Sequence, residues 1–178
     1  MPRPPTARRR ALDAFVDLVV ECGERAATLE AVAKAAGISK GGLLYHFGSK
    51  DALVTGLIEH LTRLTEEDVA EMRADPDGAT AHILRTSAEF DSEFEPAYIA
   101  AVNLAQAGYA EARAALAAAD EAWREAVLEE VGDEAVARAV VLISDGIYAH
   151  AAIHGGPTGH DIAELRGLVA ELLEARRG

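Results

Sequence analysis

Cysteine is almost missing from this chain: its 178 residues hold one, Cys22, so no internal disulfide can form, which fits a reducing compartment. Aromatic residues make up only 5% and the β-branched content is modest, which disfavours sheets. The longest apolar runs fall far short of a membrane span, and the opening MPRPPTARRR has no apolar core to serve as a secretory signal. A cytoplasmic protein without a membrane partner is therefore expected. No G-x-G-x-x-G, phosphate loop or repeat of fixed period occurs. Nor does the chain offer a nucleophile with base and orienting acid, or a paired-carboxylate site; Glu66-Glu67-Asp68 and Glu129-Glu130 read as solvated helix faces. The expectation is a protein that is not an enzyme and needs no cofactor.

What is abundant is alanine and other apolar residues: half the chain is hydrophobic, which favours an all-helical protein. Charge is strongly acidic, with a formal net charge of −13, yet it is unevenly spread. Residues 1–50 carry eight Lys/Arg against five Asp/Glu, whereas residues 51–178 carry nine against twenty-five. The positive charge thus collects in the first 50 residues, and the acidic remainder would be held away from any polyanion.

That basic segment contains TLEAVAKAAGISKGGLLYHFGSK, residues 28–50. Thr28 is an N-cap, and Leu29, Val32, Ala33 and Ala36 follow at the spacing of a buried helical face. Gly37 can take positive φ at a helix end, Ile38 points into the turn, and Ser39 caps a second helix running from Lys40 to Phe47. A short helix, a glycine turn and a second short helix is the outline of a DNA-reading helix-turn-helix. Gly41 and Gly42 in the second helix cost about 1 kcal/mol each against Ala, so something besides propensity should justify them, and close approach to a phosphate backbone would.

Around this core the spacing predicts a first helix from Ala7 to Gly23, with Ala11, Leu12, Phe15, Leu18, Val19 and Cys22 on its buried stripe. Arg8, Arg9 and Arg10, behind a Pro-rich start, form a basic arm suited to phosphate or minor-groove contact. A long helix over about 50–72 would begin in the DNA-binding part and end in a second domain, so it can transmit movement between them. Further helices are expected near 78–92, 95–107, 110–131, 134–154 and 159–176, for about nine in all. The division is 1–50 for the helix-turn-helix domain with its arm and 51–178 for a helical regulatory and dimerisation domain. The last two helices carry Val136, Val140, Ile143, Ile147 and Ala151, then Ile162, Leu165, Val169 and Leu172. Additional Leu142, Ile153, Leu168 and Leu173 give each a second apolar face, and a second copy of the chain can cover one of the two. His150 and His154 lie four apart with His160 and Asp161 beyond, a spacing that permits metal ligation; dipole-favoured histidines at a helix end account for them more simply, and no metal site is expected.

The run Thr28, Val32-Ala33, Ala36-Gly37-Ile38-Ser39-Lys40-Gly41, Leu43, Tyr45-His46-Phe47 and Ser49-Lys50-Asp51-Ala52-Leu53 closely resembles the N-terminal domain of TetR-family transcriptional regulators, over about residues 7–60. The resemblance implies a homodimeric repressor that binds double-stranded DNA at a near-palindromic operator and is released by a small-molecule effector held in the C-terminal domain. It further implies a recognition helix begun by Ser39, Lys40, Gly41 and Gly42, with Leu44, Tyr45 and His46 facing DNA and Thr28 and Lys50 reaching phosphates. Leu43 and Phe47 are core. The family often has an aromatic residue at the position of Leu44 and a polar one at Gly42, so few base-edge donors remain here. A helical interaction or ligand-binding module with weak DNA binding is the alternative. For the effector, Thr86, Phe90, Tyr98, Asn103, Gln106, Tyr109 and Trp123 are the candidate pocket residues, beside the alanine-rich stretch 110–126.

Overall fold

The computed structural model describes residues 6–87, 92–154 and 159–177, with side chains at 6–87, 92–151 and 161–175. Among the described residues all regular structure is helical. The helices are α1 (Ala7–Cys22), α2 (Leu29–Ala35), α3 (Lys40–His46), α4 (Lys50–Ala74), α5 (Ala79–Thr86), α6 (Phe94–Gln106), α7 (Ala110–Val131), α8 (Glu134–His154) and α9 (Gly159–Arg177). Nine helices are described, as expected, and a 3-10 turn, Glu24–Ala26, adds to them after Gly23 at φ 80°. No helix among the described residues is long and apolar enough to cross a membrane.

The chain forms two compact units, Met1–Leu64 with Ser92–Ala117, and Thr65–Asp91 with Ala118–Gly178. The first unit therefore extends past residue 50, where the sequence suggested a boundary. The reason lies in α4, whose Leu53, Val54, Leu57 and Leu61 are fully buried in the same cluster as Phe15 and Val19 of α1, Val32 of α2 and Leu43 of α3. Helix α6 joins this cluster through Ala97, Ala100, Ala101 and Leu104. A face made almost wholly of alanine lets its backbone lie close to a neighbour, and burying it contributes through dispersion as well as area. One close approach has a particular residue behind it: a Cβ at Gly56 of α4 would lie 2.8 Å from the Phe47 ring.

In the second unit α5 is buried on every side, from Ala79 to Leu84, and packs in a cluster with Met72, Val127, Ala137 and Val140. In its last turn Ser87 Oγ donates to Ile83 O at 2.5 Å and Thr86 Oγ1 to His82 O at 3.0 Å, the i−4 bonds that hydroxyl side chains make to their own helix. Its buried polar residue His82 lies with Nδ1 3.0 Å from Asp75 Oδ2 and Nε2 3.5 Å from Asp68 Oδ1. Arg85 donates to the same Asp75 oxygen at 2.8 Å, and Trp123 Nε1 donates to Asp68 Oδ2 at 2.7 Å. The Arg85 guanidinium, the Asp77 amide and His82 hold the Asp75 carboxyl well below its ordinary range.

Candidate DNA-binding interface

The geometry of residues 28–50 follows from their caps. Thr28 Oγ1 accepts from Ala31 N at 3.2 Å and begins α2. At the other end Ile38 N bonds to Ala33 O at 3.0 Å around Gly37, whose φ of 63° is a conformation that a Cβ disfavours. Ser39 Oγ then accepts from Gly42 N at 3.0 Å and begins α3. These capping bonds are all made between residues of the motif itself.

On α3 the side chains divide cleanly. Leu43 is fully buried and Phe47 2% exposed, whereas Tyr45 is 86% and Leu44 40% exposed. Lys40 and Gly41 are exposed, and His46 is half-buried with its ring 5.1 Å from that of Tyr45. Leu43 and Phe47 are four apart, so one helical stripe anchors α3 while the far side projects Gly41 and Tyr45, with Leu44 on its flank; Lys40, three before Leu43, is exposed at the N-terminal start of the helix. A Cβ at Gly41 would meet nothing within 4 Å, and one at Gly42 would approach only the capping Ser39 hydroxyl at 3.2 Å and Ile38 at 4.0 Å.

The cations around this face are more constrained than their sequence suggests. Lys40 pairs with Glu30. Lys50 Nζ donates to Glu24 Oε1 at 2.5 Å and to the Glu24 carbonyl at 2.6 Å, with the two side chains 25% and 20% exposed. Tyr109 Oη donates to the same carboxylate oxygen at 3.0 Å. Those bonds from Lys50 and Tyr109 lower the Glu24 carboxyl below its ordinary value, and burial followed by Glu24 pushes the Tyr109 phenol up to about 12. In the arm, Arg9 pairs with Asp13 at 2.6 Å and with Glu93; Arg8 lies 4.9 Å over the Phe47 ring and 3.6 Å from Glu59; Arg10 is exposed.

Other residues singled out in the sequence are placed as follows. Of the expected effector residues, Tyr98, Asn103, Gln106 and Tyr109 belong to the first compact unit and Thr86 and Trp123 to the second, while Phe90 lies outside the described residues. Asn103 Nδ2 donates to Val19 O at 3.2 Å, a structural bond to α1, and Trp123 is held by Asp68. Asn103 and Gln106, with Cys22, Gly23, Glu24, Arg25 and Ala107, line a groove of about 570 Å³ within the first unit. Cys22 is exposed rather than on the buried stripe, because α1 ends there, after the last core residue Val19.

On α8 and α9, Val136, Val140, Ile147, Ala151 and Val169 are buried within the chain's own core, and Ile143, Ile162 and Leu165 are half-buried. Leu172 is 39% exposed, and the outward apolar surface is completed by Leu142 at 63% and Leu168 at 46%. The regular stripe is thus mainly core; of the second face Leu142 and Leu168 are left uncovered, whereas Leu173 packs against the core. His150 is exposed, the side chains of His154 and His160 lie outside the described residues, and no group of three potential metal ligands occurs among those described. Glu24, Asp68, Asp75 and His82 were missed as organising residues; only the lone histidine inside the apolar run of α5 carried a signal.

Residues 11–57 match the model of bacterial regulatory proteins of the tetR family. The HTH-type transcriptional regulator BetI of Stenotrophomonas maltophilia (strain R551-3) is 35% identical over 71 residues, 40% of this chain and 36% of that protein. BetI of Klebsiella pneumoniae (strain 342) is 30% identical over 82 residues, 46% of this chain and 42% of that protein. The matched stretch thus spans less than half the length of either relative. The fold as a whole is similar to that of the multidrug binding protein EbrR complexed with malachite green, at TM-score 0.72 and 22% identity over 94% of this chain and 98% of that one. It is also similar to a TetR-family member from Streptomyces coelicolor A3, at TM-score 0.67 and 25% identity over 94% and 98%.

Proposed function

We propose that this chain, whose residues 11–57 match the DNA-binding-domain model of the tetR-family regulators, is a TetR-family transcriptional regulator and a homodimeric, sequence-specific repressor released from its operator by a small molecule. The observation that carries the reading is the outward side of α3. A tyrosine 86% exposed beside a leucine 40% exposed, on a helix anchored by a fully buried Leu43, is costly to leave in water and suits a helix laid in a major groove. Gly41 supports the same docking, since no neighbour within the chain requires a glycine there. Tyr45 and Lys40 offer hydrogen-bonding groups to base edges, and Leu44 offers an apolar surface to a thymine methyl. Thr28 and Ser39, both exposed caps, stand ready to donate their hydroxyl protons to phosphates.

The dimer is proposed to form through α8 and α9, covering Leu142, Leu168 and Leu172, so that two copies of α3 meet a near-palindromic site about one helical turn apart. The effector is proposed to act by preferring the DNA-incompetent state, its effect limited by the difference between its affinities for the two states. The EbrR structure, solved with malachite green, supports a small-molecule partner for a chain of this fold. The protein would work in the compartment that holds the DNA. Selection of duplexes from a random pool by the full chain, followed by anisotropy titration, tests the reading. A near-palindromic consensus bound far more tightly than random DNA is expected. Equal affinity for all duplexes would leave a helical module with non-specific DNA binding, the reading that the few base-edge donors at Gly41, Gly42 and Leu44 would favour.

A further inference from the structure

We infer that Glu24 is a positioning residue that holds the Lys50 ammonium back from the DNA backbone and so sets how strongly the domain grips phosphate, a statement resting on the DNA-binding reading above. An ammonium has three N–H donors, and Lys50 spends two of them on one residue, at 2.5 Å to the Glu24 carboxylate and 2.6 Å to its carbonyl. The pair is withdrawn from most of the solvent, with side-chain exposures of 25% and 20%, so it is screened less than a surface pair. A phosphate approaching Lys50 therefore meets a cation already neutralised, with a carboxylate at hydrogen-bond distance that repels it. Breaking the pair to free Lys50 would leave the Glu24 carboxylate half-buried, and that opposes release.

Glu24 is itself held from two directions. Its backbone is fixed in the 3-10 turn that follows α1, where Ala27 N donates to its carbonyl at 3.2 Å. Its side chain accepts from Tyr109 Oη at 3.0 Å, and Tyr109 stands between α6 and α7, one residue after Gly108 at φ 101°. The hold on Lys50 is thus referred to the α6–α7 connection, within the same compact unit. Any displacement of that connection changes the position of the carboxylate, and with it the charge that Lys50 presents.

The test uses the full chain, a random-sequence duplex and anisotropy titrations from 50 to 200 mM KCl. In Glu24→Gln the amide keeps the shape of the side chain and removes its charge, so Lys50 is free to neutralise one further phosphate. The slope of log affinity against log salt should steepen by about 0.9 per protomer, which at 0.1 M salt is roughly an eightfold gain per protomer. Lys50→Met should leave the slope unchanged, because the wild-type ammonium is already neutralised by Glu24, and Glu24→Gln added to Lys50→Met should not steepen it. Unchanged or weaker binding in Glu24→Gln overturns the inference, and so does a gain that persists without Lys50, which would mean only that an acidic group had been removed. Absence of binding by the wild-type chain to any duplex at 50 mM would instead remove the DNA-binding reading, and the inference with it. If circular dichroism shows Glu24→Gln unfolded, Glu24→Asp, which draws the carboxylate back by one methylene, must steepen the slope in the same direction.

Discussion

Two adjacent leucines give the sharpest check on the orientation of α3. Leu43 is fully buried among α1, α2 and α4 residues, while its neighbour Leu44 is 40% exposed. Leu43→Ala removes apolar surface from a closed cluster and leaves a cavity, for a loss of about 2–5 kcal/mol. At about 3 °C per kcal/mol for a chain of this size, the melting temperature should fall by roughly 6–15 °C. Leu44→Ala leaves space that water fills, so no cavity term arises, and alanine is slightly the better helix former; about 1 kcal/mol is the most it should cost. On DNA the order reverses. At a temperature where both variants are folded, Leu44→Ala should weaken operator binding and leave random-duplex binding nearly unchanged, whereas Leu43→Ala should affect both only through the fraction unfolded. Thermal unfolding by circular dichroism and anisotropy on the two duplexes give the four numbers required. Similar stability losses in the two variants, or operator discrimination that survives Leu44→Ala, would refute the assignment of the outward side.

Leu142→Glu, at a 63% exposed position of α8, should leave the helical signal intact and reduce the mass seen in sedimentation from two chains to one; a dimer that persists would place the interface elsewhere. Asp75→Asn tests the network in the second unit. The folded Asp75 carboxyl is depressed, so its contribution to stability is full above the ordinary value of 3.8 and is lost as pH falls below it. The variant should be less stable at pH 7 and show a flatter acid limb in pH-dependent unfolding, and parallel curves would count against the network. Gly56→Ala should destabilise despite alanine's helix preference of about 1 kcal/mol, because its Cβ would lie 2.8 Å from the Phe47 ring and overpacking costs about 1–3 kcal/mol. A raised melting temperature would show that the ring gives way freely.

Local rules account for most of what was readable in advance. Helix ends lie where Thr28, Ser39, Gly37 and the Asp75–Pro76 turn require them, because capping and positive φ are properties of a few consecutive residues. The faces of α3 were readable for the same reason, since Leu43 and Phe47 share a stripe and Leu44 and Tyr45 do not. The partners of the candidate effector residues were not readable. Side-chain type marks Tyr98, Asn103, Tyr109 and Trp123 as unusual among alanines, yet nothing in type says that Asn103 will bond to α1, Tyr109 to Glu24 and Trp123 to Asp68.

The sequence by itself determined an all-helical chain, the capped turn between α2 and α3, and a basic N-terminal part set against an acidic remainder, since each depends on spacing, caps or composition. Tertiary structure decided which cations remain available and which apolar face is spare. Arg9 meets a carboxylate 84 residues away, Lys50 one 26 residues away, and no local pattern records such pairs. Likewise, helical period fixes the angle between the two apolar faces of α8 and α9. It does not say which face the chain's own core will take, and the packing of α5 and α7 against Val136, Val140 and Ile147 leaves Leu142 and Leu168 to the outside.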